Sequence, residues 1–334
     1  MRIAAGLLLA LAVLAYALWT PDRDRASLEA KYLRAPSDLR QVDGVTLHVR
    51  DDGPRAAPAL LLIHGFGSSL HTWETWAGQL VASHRVIRFD LPGNGLSSPD
   101  PSGDYSDPRT IALIIALLDQ LGVTKTAVLG NSIGGRIAWR FAAAHPERLS
   151  KLILVSPDGF ASPGFDYGKA PDVPLMVEAM RWTLPKWLLK PSLAPAYVDQ
   201  SVMTDALTTR YHELMLGPGA RGAMIARMAQ TVLVDPRPLL RSITAPTLLL
   251  WGEQDQLIPF ANSADYLAAL PNARLVPLPR IGHLPQEEAP LRTLQPLASF
   301  LAESVPPDSG VELVSASDTA AAGRREKQSL EGAE

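Results

Sequence analysis

The sequence predicts an α/β protein with a mostly parallel sheet, flanking helices and an inserted helical cap. Three observations carry that expectation. Short β-branched or leucine-rich runs alternate with segments of helical spacing over residues 38–156. The alternation lapses over residues 157–241, where only proline-interrupted helical segments occur, and it resumes over 242–303. Alternation of this kind means parallel βαβ units with right-handed crossovers, and 334 residues are enough for one large domain or two small ones.

Residues 1–20 stand apart from the fold. Ile3 to Trp19 is an unbroken apolar and small-residue run behind Arg2, expected to be a membrane anchor or a signal segment. Ala15-Tyr16-Ala17 resembles a small-x-small cleavage site, whereas Trp19 is placed as an interfacial anchor. Either outcome puts the remainder outside the cytoplasm, anchored facing the periplasm or exterior, or secreted after cleavage. Residues 21–37 form a charged connector with some helical character.

The elements follow in order. Asp43-Gly44 between Leu39–Val42 and Val45–Val49 is a strong hairpin signal. Leu60–Ile63, Val86–Phe89, Thr126–Leu129 and Leu152–Val155 read as strands. Helices are expected over Ser69–Val81, Asp107–Leu121 and Ile137–Ala144, the last halted by His145-Pro146. In the cap, helical segments cover Leu175–Leu189 and Val202–Leu216. Six of the seven methionines lie there, among them Met176, Met203, Met224 and Met228, with Trp182 and Trp187. Methionine suits both an adaptable ligand surface and the core of a small helical cap. Thr247–Trp251 and Arg274–Val276 are the final strands, and Phe260–Leu270 and Leu291–Ala302 the final helices. Residues 304–334 lose all periodicity and read as a disordered tail.

Composition excludes several functions. A net charge of −3 leaves no basic footprint, so nucleic acid is not an expected partner. The absence of cysteine excludes disulfides, thiolate catalysis and cysteine-ligated zinc. No metal or organic cofactor is implied.

Chemistry is concentrated in loops that follow strands. Gly130-Asn131-Ser132-Ile133-Gly134-Gly135 lies between a strand and a helix, the pattern of a nucleophile elbow, in which a sharp turn lifts Ser132 clear of the sheet. A serine needs a base, and the base an orienting acid. Asp255 and His283 follow the next strands in that order, with Asp158 and Glu253 as rival acids. The negative charge of a tetrahedral intermediate needs preorganised N–H donors. Ile133, after the nucleophile, supplies one, and Phe66 in His64-Gly65-Phe66-Gly67 is the best candidate for the other. His64 and Asp90 read as structural, Asn94 as within reach of the site, His145 as a helix C-terminal residue and His212 as a cap residue.

These motifs, with Asp90-Leu91-Pro92-Gly93-Asn94-Gly95, Trp251-Gly252-Glu253-Gln254-Asp255 and Gly282-His283-Leu284-Pro285-Gln286-Glu287-Glu288, make residues 38–303 resemble the α/β-hydrolase superfamily. The resemblance implies an α/β-hydrolase fold, a Ser132–Asp255–His283 triad, an oxyanion hole from Phe66 and Ile133, and a helical cap over the pocket. Two branches carry an Asn-Ser elbow: bacterial lipases and esterases with an N-terminal hydrophobic segment, and hydrolases of carbon–carbon bonds in ring-fission products. The second branch typically has a glycine-richer oxyanion loop and a Trp after the histidine, where this chain has Phe66 and Leu284. The sequence therefore predicts a serine hydrolase of small carboxylic esters with an apolar acyl group. The alternative is carbon–carbon hydrolysis of a dienoic acid, with Arg181, Arg221 or Arg227 holding its carboxylate. A binding protein that kept the fold is the remaining reading.

Overall fold

The computed structural model describes residues 13, 16–161 and 166–303. Most of the apolar run at the N-terminus and all of the expected tail at 304–334 lie outside these described residues. Among the described residues no helix is long and apolar enough to cross a membrane. Met1–Ala302 forms one compact unit; of the second, Glu303–Glu334, only Glu303 is described.

The connector contains helix α1 (Arg25–Tyr32), started by the Asp24 side chain accepting from Ser27 N. Strands β1 (Leu39–Val42) and β2 (Val45–Asp52) pair antiparallel across Asp43 and Gly44, at φ +44° and +84°. Two successive left-handed residues are what a two-residue hairpin turn requires, which explains the Asp-Gly. Then come β3 (Ala59–Ile63), α2 (Glu74–Leu80), β4 (Arg85–Phe89), α3 (Asp107–Gln120), β5 (Thr126–Asn131), α4 (Ile133–Ala144) and β6 (Leu149–Val155). The expected Ser69–Val81 helix is a 3-10 turn, Leu70–Trp73, running into α2.

The cap follows as α5 (Leu175–Ala179), α6 (Lys186–Leu193), α7 (Asp205–Met215), α8 (Ala220–Gln230) and α9 (Arg237–Arg241). Its expected Leu175–Leu189 helix is two short ones, because Pro185 lacks an N–H and disfavours helical backbone before it. The expected Val202–Leu216 helix starts only at Asp205, where the Thr204 hydroxyl accepts from Leu207 N at 3.2 Å. The chain ends in β7 (Thr247–Gly252), α10 (Asn262–Ala269), β8 (Ala273–Leu278), α11 (Pro285–Glu288) and α12 (Pro290–Ala302).

The eight strands lie in the order β1-β2-β4-β3-β5-β6-β7-β8, parallel from β4 onward. Residue alternation sorts the core into two layers. Leu61, Ile63, Val128, Leu249 and Trp251 face a cluster shared with α3, α4 and α10. Leu60, Leu62, Leu129, Leu248 and Leu250 face another shared with Trp76 of α2 and Leu297 and Phe300 of α12. Both faces of the sheet are covered, so the strands read as continuous apolar runs. Polar chemistry is left to the loops at the carboxyl ends of the strands.

His71, in the 3-10 turn, ties this core to pH. Its Nε2 meets Arg50 Nη2 at 3.5 Å and its Nδ1 meets Ser69 Oγ at 3.2 Å. Burial pushes it down to about 4, against 6.5 for a free imidazole. Between those values the unfolded chain binds the extra proton, so stability falls as pH drops from about 6.5 to about 4, by up to about 3 kcal/mol. Melting temperature should decline over that window, and His71→Gln should flatten the decline. An unchanged acid limb in the variant would contradict the assignment.

Candidate active site

Ser132 sits between β5 and α4 at φ +58° and ψ −124°. The glycines around it are dictated by close approach. A Cβ on Gly130 would stand 2.1 Å from Gly134 O, and one on Gly134 would stand 2.3 Å from Ile63 O. Gly65 passes on the other side, where an added Cβ would lie 3.2 Å from Ser132 Cβ. The turn therefore brings Ser132, the end of β3 and the N-terminus of α4 together, and that terminus favours negative charge.

His283, in the loop after β8, bonds through Nδ1 to Asp255 Oδ2 at 2.7 Å. The other carboxylate oxygen, Oδ1, accepts from Leu257 N and Ile258 N at 2.8 and 2.9 Å, which fixes the acid. Both side chains are buried. Asp158, the rival acid, is engaged by Arg136, and Glu253 is exposed. Phe66, Ser132, Ile133 and His283 line one cavity of about 210 Å³. A larger apolar groove of about 600 Å³ between α3 and α4 lies away from Ser132.

The Phe66 loop is braced from behind. His64 is fully buried, accepts from Leu91 N through Nε2 at 2.9 Å, and meets Gly65 O through Nδ1 at 2.8 Å. Burial lowers its pKa, so it is a neutral strut. Asp90 bonds His48 at 2.7 Å and accepts from Leu70 N and Leu96 N at 2.6 and 2.8 Å. Asn94, expected within reach of the site, donates to Ser68 O at 3.4 Å and does not line the cavity.

A buried polar network that the sequence did not reveal holds the histidine loop. Asn131 Nδ2 donates to Val155 O and His283 O, both at 3.1 Å. Gln286 donates to Asn131 Oδ1 at 3.4 Å and to Thr72 Oγ1 at 3.3 Å. Glu288 accepts from Gly282 N at 2.8 Å and, across the boundary to the cap, from Val198 N and Asp199 N at 3.1 and 2.9 Å. Glu287 accepts from Tyr197 at 2.5 Å, Arg210 at 2.7 Å and Tyr211 at 3.1 Å. His283 N itself donates to Ala196 O of the cap at 2.8 Å. Leu284 packs with Ala196, Tyr197 and Met203, which explains an aliphatic residue after the histidine. The loop is thus clamped between elbow and cap.

The cavity also holds charge. Arg136 joins Asp158 to Asp107; burial opposes its charge, but the two carboxylates hold its pKa well above the usual arginine value. Arg227 is fully buried and bonds only neutral oxygens: Tyr105 O at 3.1 Å, Thr110 Oγ1 at 3.2 Å and Pro92 O at 3.4 Å. Its Nε has no partner among the described residues, and burial lowers its pKa to about 10. Of the three arginines named from sequence, Arg221 pairs with Asp22 and Arg181 with Glu178, so only Arg227 lines the cavity. Met228 alone of the cap methionines joins it there; Met215 and Met224 fill the cap core.

Two substitutions test this reading. Glu288→Gln keeps one acceptor oxygen for three N–H groups, one buried and two part-buried, and should cost about 1–3 kcal/mol of stability while lowering kcat more than KM. An unchanged kcat would separate the clamp from His283. Gly134→Ala drives a methyl into Ile63 O and should abolish soluble expression; a folded, active variant would contradict the packing.

Residues 58–290 match the family model of the alpha/beta hydrolase fold. The chain is 30% identical over 256 residues to 2-hydroxy-6-oxo-6-phenylhexa-2,4-dienoate hydrolase of Burkholderia cepacia, covering 72% of this chain and 86% of that protein. It is 29% identical to 2-hydroxymuconate semialdehyde hydrolase of Pseudomonas putida, covering 78% and 92%. A solved bacterial membrane phospholipase A superposes with a TM-score of 0.68 at 28% identity, covering 90% of this chain and 97% of that one. The chain belongs to the alpha/beta hydrolase family and is a hydrolase.

Proposed function

We propose that this chain is a serine-dependent hydrolase whose substrate offers a carbonyl to Ser132 and an anionic group to Arg227. The observation that carries the reading is one cavity lined by Ser132, His283, Phe66, Ile133 and Arg227, whose hydrogen bonds go to neutral oxygens. In this reading Ser132 Oγ attacks the carbonyl carbon as His283 Nε2 takes its proton, and Asp255 steadies the resulting imidazolium. The Phe66 and Ile133 N–H groups stabilise the oxyanion. His283 returns the proton to the leaving group, and water, deprotonated by the same histidine, releases the acyl group from Ser132.

Two bonds fit this scheme. The curated relatives favour a carbon–carbon bond, and a carbon leaving group departs readily only when conjugation spreads its negative charge, as in a dienoate. Such a substrate bears a carboxylate for Arg227, which makes no direct ion pair among the described residues. The ester reading is the second. Its support is the phospholipase match over 90% of the chain, together with Phe66 and Leu284 in place of the residues typical of the carbon–carbon branch. We further propose, from the apolar run Ile3–Trp19, that the catalytic unit works outside the cytoplasm, anchored at a membrane or, as the alternative, secreted after cleavage of the run.

Purified enzyme should be assayed on a ring-fission dienoate beside short and medium p-nitrophenyl esters. Turnover of the dienoate supports the first reading, and turnover of esters alone supports the second. Ser132→Ala should lower either activity by roughly a thousandfold or more, and undiminished turnover would contradict an acyl-enzyme. Arg227→Gln should raise KM about tenfold or more for an anionic substrate and much less for a neutral ester. Equal losses on both would remove the anion-binding role.

A further inference from the structure

The cap turns large apolar side chains to solvent beside the point where the N-terminal run joins it. Leu175 is 88% exposed, Met176 76%, Trp187 70% and Trp182 66%. Helix α5 buries none of its residues. The four tryptophans of the folded core, Trp73, Trp76, Trp139 and Trp251, are essentially inaccessible, so exposed tryptophan is confined to Trp19 and the cap stretch 175–187. Large apolar side chains left exposed within one short stretch of the cap mark an interaction surface.

What covers it follows from the chain running alongside. Thr20 N donates to Trp182 O at 3.0 Å, Thr183 Oγ1 to Leu18 O at 2.5 Å, and Leu184 N to Thr20 Oγ1 at 3.0 Å. Farther along, Arg23 N donates to Leu216 O at 2.7 Å and Arg221 bonds Asp22 at 2.6 Å. The segment that leads out of the apolar run Ile3–Trp19 is therefore stitched to the cap at Trp182–Leu184. Trp19 and Tyr16, both exposed, extend the same aromatic character. Tryptophan beside leucine and methionine, next to an apolar run, suits the boundary between lipid headgroups and acyl chains. The nearby cations Arg181 and Lys186 are paired with Glu178 and Asp205, which leaves Lys190 beside Trp187 as the nearby cation outside an ion pair among the described residues, so apolar burial supplies most of the attraction.

We infer that the cap face formed by Leu175, Met176, Trp182 and Trp187 docks onto a lipid bilayer alongside the N-terminal run. The cap that contributes Arg227 and Met228 to the cavity is then held at the lipid. This goes beyond the catalytic reading and does not depend on which bond is cleaved.

The test uses the full chain reconstituted in phosphatidylcholine vesicles with brominated acyl chains. In Trp19→Phe protein the exposed indoles are Trp182 and Trp187, and their emission should be quenched relative to unbrominated vesicles, with no relief by salt. Trp182→Phe/Trp187→Phe protein should keep only the quenching due to Trp19, and its turnover of a soluble p-nitrophenyl ester or dienoate should match wild type. Equal emission of Trp19→Phe protein in both vesicle types would put the cap in water or against a second copy, and would overturn the inference. Undiminished quenching in the double variant would overturn it as well.

Discussion

The backbone at Ser132 is held in the left-handed region only because nothing larger than a hydrogen occupies Gly130 and Gly134. Such a conformation costs about 1–3 kcal/mol in a residue with a side chain and persists when its surroundings leave no alternative. Here β5 is locked between β3 and β6, and α4 is packed onto the sheet through Ile137, Trp139 and Phe141. The sharp turn at Ser132 is thereby forced, and the serine is presented at the helix N-terminus beside the Phe66 loop. Burial of the central strands supplies the energy for this strained point.

A second layer of constraint is polar. The histidine loop follows an edge strand of the sheet, so backbone pairing alone does not fix it. Asn131 and Gln286 pin it to the elbow, while Glu287 and Glu288 pin it to the cap. Buried polar groups are costly when unpaired, and these share their partners in a connected set. The placement of His283 thus depends on the cap being seated.

Much of this was legible in the sequence because the determining signals are local. Asp43-Gly44 specifies its hairpin, the apolar runs specify strands covered on both faces, and Gly130–Gly135 specifies the elbow. Asp255 was separable from Asp158 only in three dimensions, since both follow strands and the choice turns on which carboxylate Arg136 occupies. Trp182 and Trp187 read equally well as cap core, yet they are exposed, because the cap core is filled by Leu184, Leu189, Tyr211 and Met224. The choice of Arg227 over Arg181 and Arg221 was likewise hidden, as all three lie in helical segments and differ only in which acid stands near them.

The most direct test of the catalytic account is covalent. Full-length protein treated with a fluorophosphonate and digested for mass spectrometry should carry one phosphonyl group, on the peptide containing Ser132, and His283→Ala protein should carry almost none. Labelling at another residue, or equal labelling of Ser132 without His283, would contradict a nucleophile activated by the Asp255–His283 pair.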